Sequence, residues 1–368
     1  MKKILVGYIM DGRAGGIDKY LLNFLEVNRQ EAVQMDFLSN GVDPNLEKLL
    51  AQYGSKLYAV PSLRHPIAQY RRTCEIIEAG GYDMAYFNIS TAIDGIGAFA
   101  ARHMKVKQIN IHSHSSGNDC ESWGQRTVYN LIHNICKLFL HRAATEYSGC
   151  SNKAGYWLFP KRVVESNQFE VIYNAVDREK FCYQPAVREE VREELQVQDK
   201  WVIGHIGNFC YQKNYAYMIH VFAEVLKSQK DSVLVAVGRG VQYEAIQAEV
   251  KRLGIEEQVR FLGWRKDTER LYQAMDVFLM PSRFEGLPVA GVEAQACQLP
   301  CVFSDTITRE TQIHKECLFL DIKKNPERWV DDIVKLRTVD RNTVAFTEEA
   351  KNYDLEQQSQ QLRRLACH

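Results

Sequence analysis

The chain has 368 residues, more than one compact domain usually holds and enough for two of roughly 100–200 residues each. Hydrophobic residues make up 46% and charged residues 25%, which excludes a disordered chain. The 46 Lys and Arg balance 46 Asp and Glu, and this zero net charge argues against a nucleic-acid binder, which is usually basic.

In chain order, Met1-Lys2-Lys3 precedes a seven-residue apolar run, Ile4–Met10. Asp11-Gly12-Arg13 follows where a signal peptide would carry small residues, so the run is read as a buried first strand. An amphipathic stretch from about Ile17 to Asn28 comes next. Strands are expected at Val33–Leu38, Lys56–Val60, Met84–Phe87, Gln108–Ile111 and Glu146–Cys150. Ser151-Asn152-Lys153 reads as a helix start capped by Ser151. Val171–Tyr173 reads as a short strand running into a turn at Asn174-Ala175-Val176-Asp177, and Val187–Leu195 as a charged helix. A second α/β series then starts afresh. Strands are expected at Trp201–Ile206, Ser232–Val237, Val259–Leu262, Val277–Met280 and Cys301–Ser304, with helices at Tyr215–Lys227, Ala245–Leu253 and Thr268–Met275 between them. Pro288 is expected to open one more helix, ending at Gln298-Leu299-Pro300, and Leu355–Ala366 is a polar amphipathic helix. Strand–helix alternation of this kind predicts an α/β fold with parallel sheets.

The ten cysteines are scattered and form no C-x-x-C, which predicts reduced, cytosolic thiols. The nearest pair, Cys297 and Cys301, lacks a second pair to close a zinc site, so no structural metal is expected. No apolar run approaches the 18 or so residues that span a bilayer.

The chemistry-bearing residues gather in the second half. Ser282 to Ala294 runs from a strand through a loop holding Glu285 and Gly286 into a helix that carries Glu293. Free N–H groups at such a helix start suit an anion. Gly207-Asn208-Phe209-Cys210-Tyr211-Gln212-Lys213-Asn214 follows the first strand of this half, and Lys213 offers a point charge for phosphate. Gly238-Arg239-Gly240 follows the next strand, and Trp264-Arg265 a third, where Trp264 is suited to line a flat base. Open α/β sheets bind ligands outside the carboxyl ends of their strands. Four such loops predict a nucleotide-diphosphate site.

These residues resemble the donor domain of the family 4 retaining glycosyltransferases of GT-B fold. The matching stretches are Ile203-Gly204-His205-Ile206-Gly207-Asn208-Phe209 with Gln212-Lys213-Asn214, Phe261-Leu262-Gly263, Ala274 to Ser282, and Glu285-x7-Glu293-Ala294. The resemblance is greatest to the branch that builds bacterial exopolysaccharides and capsules. In the first half, Gly15-Gly16-Ile17-Asp18-Lys19, His112-Ser113-His114-Ser115 and Val171 to Asp177 resemble the family's glycine loop, acceptor-side histidine and linker entry. The resemblance implies two facing Rossmann-like domains with a cleft between them: an acceptor domain at 1–177, with a C-terminal helix at 352–368 crossing back to it, and a donor domain at 178–351.

By the same resemblance, Glu293 binds the ribose hydroxyls and Glu285 the donor sugar, helped by backbone N–H groups near Gly286 and Leu287. Lys213 neutralises the departing diphosphate, which Gly16 approaches, and His114 or His112 faces the reacting carbon. Spacing alone leaves that pair open, because residues two apart share one face of a strand. The implied reaction transfers a hexosyl or N-acetylhexosaminyl group from a nucleotide sugar, a UDP-sugar, to a lipid-linked or oligosaccharide acceptor. It proceeds with retention and with no metal or other cofactor. Asn208 stands where the family usually has an arginine, and Arg239 or Arg265 is expected to compensate; Asp18 stands in place of a Glu. From Phe99 to Arg142, Arg102, Lys105, Lys107, Arg126, Lys137 and Arg142 oppose only Asp119 and Glu121, with Trp123, Phe139 and Leu140 interleaved. That pattern suits a peripheral contact with the inner, anionic face of a membrane. The competing readings are a nucleotide-sugar epimerase of the same fold and a non-catalytic nucleotide-sugar-binding subunit.

Overall fold

The structure, a computed structural model, describes residues 1–9, 15–41 and 43–367. Met10 and the Asp11-Gly12-Arg13 stretch lie outside the described residues. The chain divides into two compact units. The first comprises 1–118, 122–174 and 355–368; the second comprises 119–121 and 175–354. The passage falls after Asn174, not Asp177, and the return after Asp354. Residues 175–177 and 352–354 both go with the second unit, and the Val176 N–H donates to the Tyr353 carbonyl (3.0 Å).

Among the described residues, the first unit holds seven strands: β1 (Lys2–Gly7), β2 (Val33–Ser39), β3 (Leu57–Ala59), β4 (Met84–Ile89), β5 (Gln108–Ser113), β6 (Glu146–Gly149) and β7 (Phe169–Val171). Their order is β3-β2-β1-β4-β5-β6-β7, all parallel. The central strands read as unbroken apolar runs because helices cover both faces of a parallel sheet. Alternate residues of β1 serve opposite faces. Ile4 and Val6 pack with Phe24 and Tyr86, whereas Leu5 packs with Phe87, Ile109 and Leu140. The C-terminal helix, Leu355–Cys367, buries Leu362, Leu365 and Ala366 in the first of these clusters. Gln358 Nε2 and Gln361 Nε2 donate to the Tyr173 and Val171 carbonyls (2.6 and 3.1 Å).

The second unit holds β8 (Trp201–Ile206), β9 (Ser232–Val237), β10 (Val259–Gly263), β11 (Val277–Met280), β12 (Cys301–Ser304) and β13 (Cys317–Leu320). The order is β10-β9-β8-β11-β12-β13, again all parallel.

Several elements depart from the expectation. β7 begins two residues before Val171 and ends there, because its partner β6 stops at Gly149 and the last rung is Gly149↔Val171. β13 was not foreseen; four residues are too few to show a period, and only its register with β12 makes it a strand. Pro288 caps the helix Val289–Ala296 from outside, and that helix ends before Gln298. Ser151 does cap its helix, its hydroxyl accepting the Ala154 N–H (3.0 Å). Among the described residues, no helix is long and apolar enough to cross a membrane.

Candidate functional site

The order β10-β9-β8-β11 sets four loops side by side at the carboxyl edge of the second sheet. These are Trp264-Arg265, Gly238–Gly240, Gly207–Asn214 and Pro281–Pro288. The chain winds outward from β8 to β9 and β10 on one side and resumes at β11 on the other. The crevice at such a switch point is where open α/β sheets take ligands. Gly207 and Gly238 permit the packing. Gly238 has φ 144°, and a Cβ on it would lie 1.9 Å from the Gly207 carbonyl oxygen. A Cβ on Gly207 would meet His205 Nε2 at 3.0 Å.

Across the switch point the loops after β8 and β11 are tied together. Lys213 Nζ donates to Glu285 Oε1 (2.7 Å) and Gln212 Nε2 to Glu285 Oε2 (2.8 Å). The Arg283 N–H donates to the Gln212 carbonyl (2.8 Å), and Asn214 Nδ2 to the Pro281 carbonyl (3.1 Å). The Arg283 guanidinium lies 4.6 Å from the centre of the Tyr211 ring. Glu285 is 4% exposed. A carboxylate so deeply placed requires compensation, and Lys213 with Gln212 supplies it. Gly286 and Leu287 are buried beside it at the mouth of the Val289–Ala296 helix. On that helix Glu293 is buried and accepts a hydrogen bond from the Tyr272 hydroxyl (3.1 Å), itself fully buried.

The flanks are solvated. Asn208 and Arg239 are exposed, and Trp264 is 45% exposed with the Lys266 ammonium 5.6 Å from its ring centre. Arg265 does not stand as a free compensating cation. Its Nε and Nη2 donate to the two Asp267 oxygens (2.8 and 2.6 Å), and Nη2 also to Glu194 Oε1 (3.1 Å). Those carboxylates raise its already high pKa and hold its charge where it is. Arg239, by contrast, is exposed on the Gly238–Gly240 loop, whose Arg239 carbonyl accepts the Phe209 N–H (2.9 Å).

In the first unit the two histidines are distinguished. His112, in β5, is wholly buried; its Nδ1 meets Ser148 Oγ (3.0 Å), which donates to Asn110 Oδ1 (2.8 Å), and its ring stacks on Tyr20 at 4.9 Å. His114 lies one residue past the end of β5 and is half-buried, with its ring 4.5 Å from that of His112. Its Nε2 pairs with Asn88 Oδ1 (2.9 Å). An amide oxygen only accepts, so Nε2 carries the proton in this tautomer. Burial pushes the His114 pKa down to about 3, so the ring is neutral. Of the two rings, His114 is the less buried. Gly16 is the exposed first residue of the helix Gly16–Val27, whose start has no side-chain cap.

Sequence reasoning assigned no role to Gln212, Tyr272, Asn88 or Tyr20. Gln212 adjoined a chosen lysine, but its partner lies 73 positions away. Tyr272 and Asn88 carried no local signal.

Comparison with known proteins gives the following. Residues 200–338 match the family described as glycosyl transferases group 1. The chain is 28% identical to a putative glycosyltransferase, EpsF, of Bacillus subtilis, with 97% of this chain and 94% of that one aligned. It is 28% identical to a UDP-Gal:alpha-D-GlcNAc-diphosphoundecaprenol alpha-1,3-galactosyltransferase of Escherichia coli over 63% of this chain and 60% of that one. Among solved structures, Anabaena HepE in complex with UDP-glucose superposes with a TM-score of 0.75 at 18% identity, covering 99% of both chains.

Proposed function

We propose that this glycosyltransferase, whose residues 200–338 form a group 1 glycosyl transferase domain within a GT-B fold, moves a hexosyl or N-acetylhexosaminyl group from a UDP-sugar, with retention, to a lipid-linked glycan acceptor. The observation that carries the reading is the Lys213–Glu285 pair at the switch point of the second sheet, with Glu293 about one turn into the helix that follows. The relatives support the choice of partners: one solved neighbour binds UDP-glucose, and one curated relative is named for a UDP-sugar and an undecaprenol-linked acceptor.

The pair also suggests an order of events. An arriving diphosphate carries more charge than the Glu285 carboxylate and competes for the Lys213 ammonium. Lys213 then faces the phosphates and stabilises the charge that builds on UDP as the glycosidic bond breaks. Glu285, still held by Gln212, turns acceptor for the hydroxyls of the donor sugar, with the backbone N–H groups of Gly286 and Leu287 beside it. Glu293, oriented by Tyr272, accepts the ribose hydroxyls. Arg239 flanks the phosphates and Trp264 the base. The acceptor hydroxyl attacks the face the leaving group departs, which gives retention. In this scheme protein cations, not a metal, balance the diphosphate.

The acceptor reading extends to the membrane surface. The helix Trp123–Leu140 buries only His133 and Leu140 and exposes Trp123, Val128, Leu131, Ile135 and Leu138. It carries Arg126 and Lys137 and no acidic residue. An apolar face flanked by cations suits the interface of an anionic bilayer, which is where a lipid-linked acceptor is found.

Calorimetry against a panel of nucleotides and nucleotide sugars, on the wild type and Glu293→Ala, tests the donor site. Selective UDP binding that is lost in the variant supports the assignment. No nucleotide binding at millimolar concentration would move the non-catalytic subunit reading ahead. The anomeric configuration of the product, read by NMR, tests retention.

A further inference from the structure

Cys301, His314 and Cys317 form a cluster that the donor site does not use. Cys301 and Cys317 open β12 and β13 and are register partners. Paired residues of neighbouring parallel strands lie about 4.8 Å apart and point to the same face, so the two thiols meet. His314, three residues before Cys317, turns its ring onto them. One ligand atom from each of the three residues lies within 4.8 Å of the others, and all three side chains are buried. The sequence reading considered Cys297 with Cys301 and found no zinc site; the strand pairing selects a different partner set. Cys297 instead lies against Gln273 Nε2, at 3.7 Å.

The spacing fits an ion. Zinc bound at about 2.3 Å to sulfur and about 2.1 Å to nitrogen, at the tetrahedral angle, holds the two about 3.6 Å apart. Cys317 Sγ and His314 Nδ1 are 3.6 Å apart. His314 Nε2 contacts the Leu299 carbonyl (3.1 Å), which fixes the proton there and turns the Nδ1 lone pair inward. A metal-binding histidine is commonly oriented in this way. The Glu316 N–H also approaches Nδ1 (3.1 Å) and is the partner an ion would displace. Gln295 Oε1 lies 3.1 Å from Cys317 Sγ, accepts the Ile313 N–H (2.7 Å), and is a neutral oxygen available for a fourth position. Charge favours a divalent ion: two thiolates and Zn2+ sum to zero, so loading leaves no net charge in a buried site.

We infer that Cys301 Sγ, Cys317 Sγ and His314 Nδ1 bind a borderline-soft divalent cation, Zn2+, with Gln295 Oε1 completing the set. Two S–H protons pass to solvent as two Zn–S bonds form. The ion staples β12 to β13 beneath the helix that carries Glu293, because Gln295 lies two residues beyond it on that helix. The role is structural and independent of the transfer chemistry.

The test needs no turnover. The full chain, reduced and stripped with a chelator, is titrated with Co2+ and with Zn2+. The expected result is about one equivalent bound per chain, with thiolate-to-cobalt absorption and the visible bands of a tetrahedral ion. Cys317→Ser should lower Zn2+ affinity at least about tenfold. Cys182→Ser, which changes an exposed thiol elsewhere, should not. A wild type without thiolate–cobalt bands, or a Cys317→Ser variant with unchanged affinity, overturns the inference. Should Cys317→Ser fail to fold, the wild-type Tm decides: a rise on adding Zn2+ supports the site, and an unchanged Tm rejects it.

Discussion

At the scale of single residues, the site is built from charges that need each other. Lys213 and Glu285 are both largely withdrawn from water, and each is placed by the other. Lys213→Ala should leave a buried carboxylate unpaired and remove the cation assigned to the leaving group. Its expected effect is a fall in kcat of roughly 10²–10³, by analogy with the loss of one donor to a developing anion. A Lys213→Ala enzyme with wild-type kcat would remove Lys213 from the mechanism. Glu285→Gln preserves the shape and leaves Lys213 without its counter-charge, so it should weaken sugar discrimination more than UDP affinity; competition calorimetry with UDP and UDP-sugars reads the difference. Asn208 marks the departure from the family's usual arginine. Because Arg265 is held by Asp267 and Glu194, it does not replace the missing charge, and Asn208→Arg should tighten UDP binding. An unchanged dissociation constant would show that Arg239 already suffices.

At the scale of elements, two features separate from the active site. The helix Trp123–Leu140 presents an apolar stripe that the first unit does not cover. Replacing Leu131 and Leu138 together by Asp should abolish co-sedimentation with anionic vesicles while leaving UDP affinity intact. Equal sedimentation of the variant and the wild type would end the membrane reading. Arg341 shows the opposite case, a buried cation that serves the fold. Its guanidinium donates to the Tyr272, Gln273, Met275 and Cys297 carbonyls and lies 4.1 Å from the Tyr183 ring centre. Burial lowers its pKa to about 10. Arg341→Met strands these carbonyls and should cost about 3 kcal/mol, seen as a lowered urea midpoint.

At the scale of the whole molecule, acid is the condition to which stability should respond most. His112 and His205 are fully buried and neutral. Burial lowers the pKa of both; the neighbouring His114 adds to this at His112, and the Lys213 ammonium adds to it at His205, which reaches about 3. The unfolded chain takes up protons at these sites near pH 6.5, whereas the folded chain does not. Their contribution is thus complete above pH 6.5 and is lost as pH falls below it; for His205 the loss runs on toward pH 3 and is about 1–2 kcal/mol by pH 5. A Tm that stays flat between pH 7 and 5 would contradict this. The C-terminal helix belongs to the same scale. Removing residues 355–368 should unfold the first unit preferentially, since it bares the cluster around Phe24 and Tyr86.

Much of this was legible in the chain because the signals are local. A strand buried on both faces is an apolar run whatever surrounds it, so Trp201–Ile206, Ser232–Val237, Val277–Met280 and Cys301–Ser304 were read to the residue. The loops that follow three of them carried Gly207, Lys213, Gly238 and Glu285 in order, enough to predict a nucleotide-diphosphate site, while the transferase expectation came from the resemblance to a family. What the sequence withheld depends on pairing across distance. The difference in burial between His112 and His114 is set by the end of β5 and the packing of Tyr20. Arg265 is held first by Asp267, two residues on, and the fold adds Glu194, 71 residues away. The meeting of Cys301, His314 and Cys317 exists only because β13 adds to β12 in register. Hydrophobic period and turn chemistry act over a few residues and are written in the sequence; ion pairs and strand partners join positions that only the folded sheet brings within bonding distance.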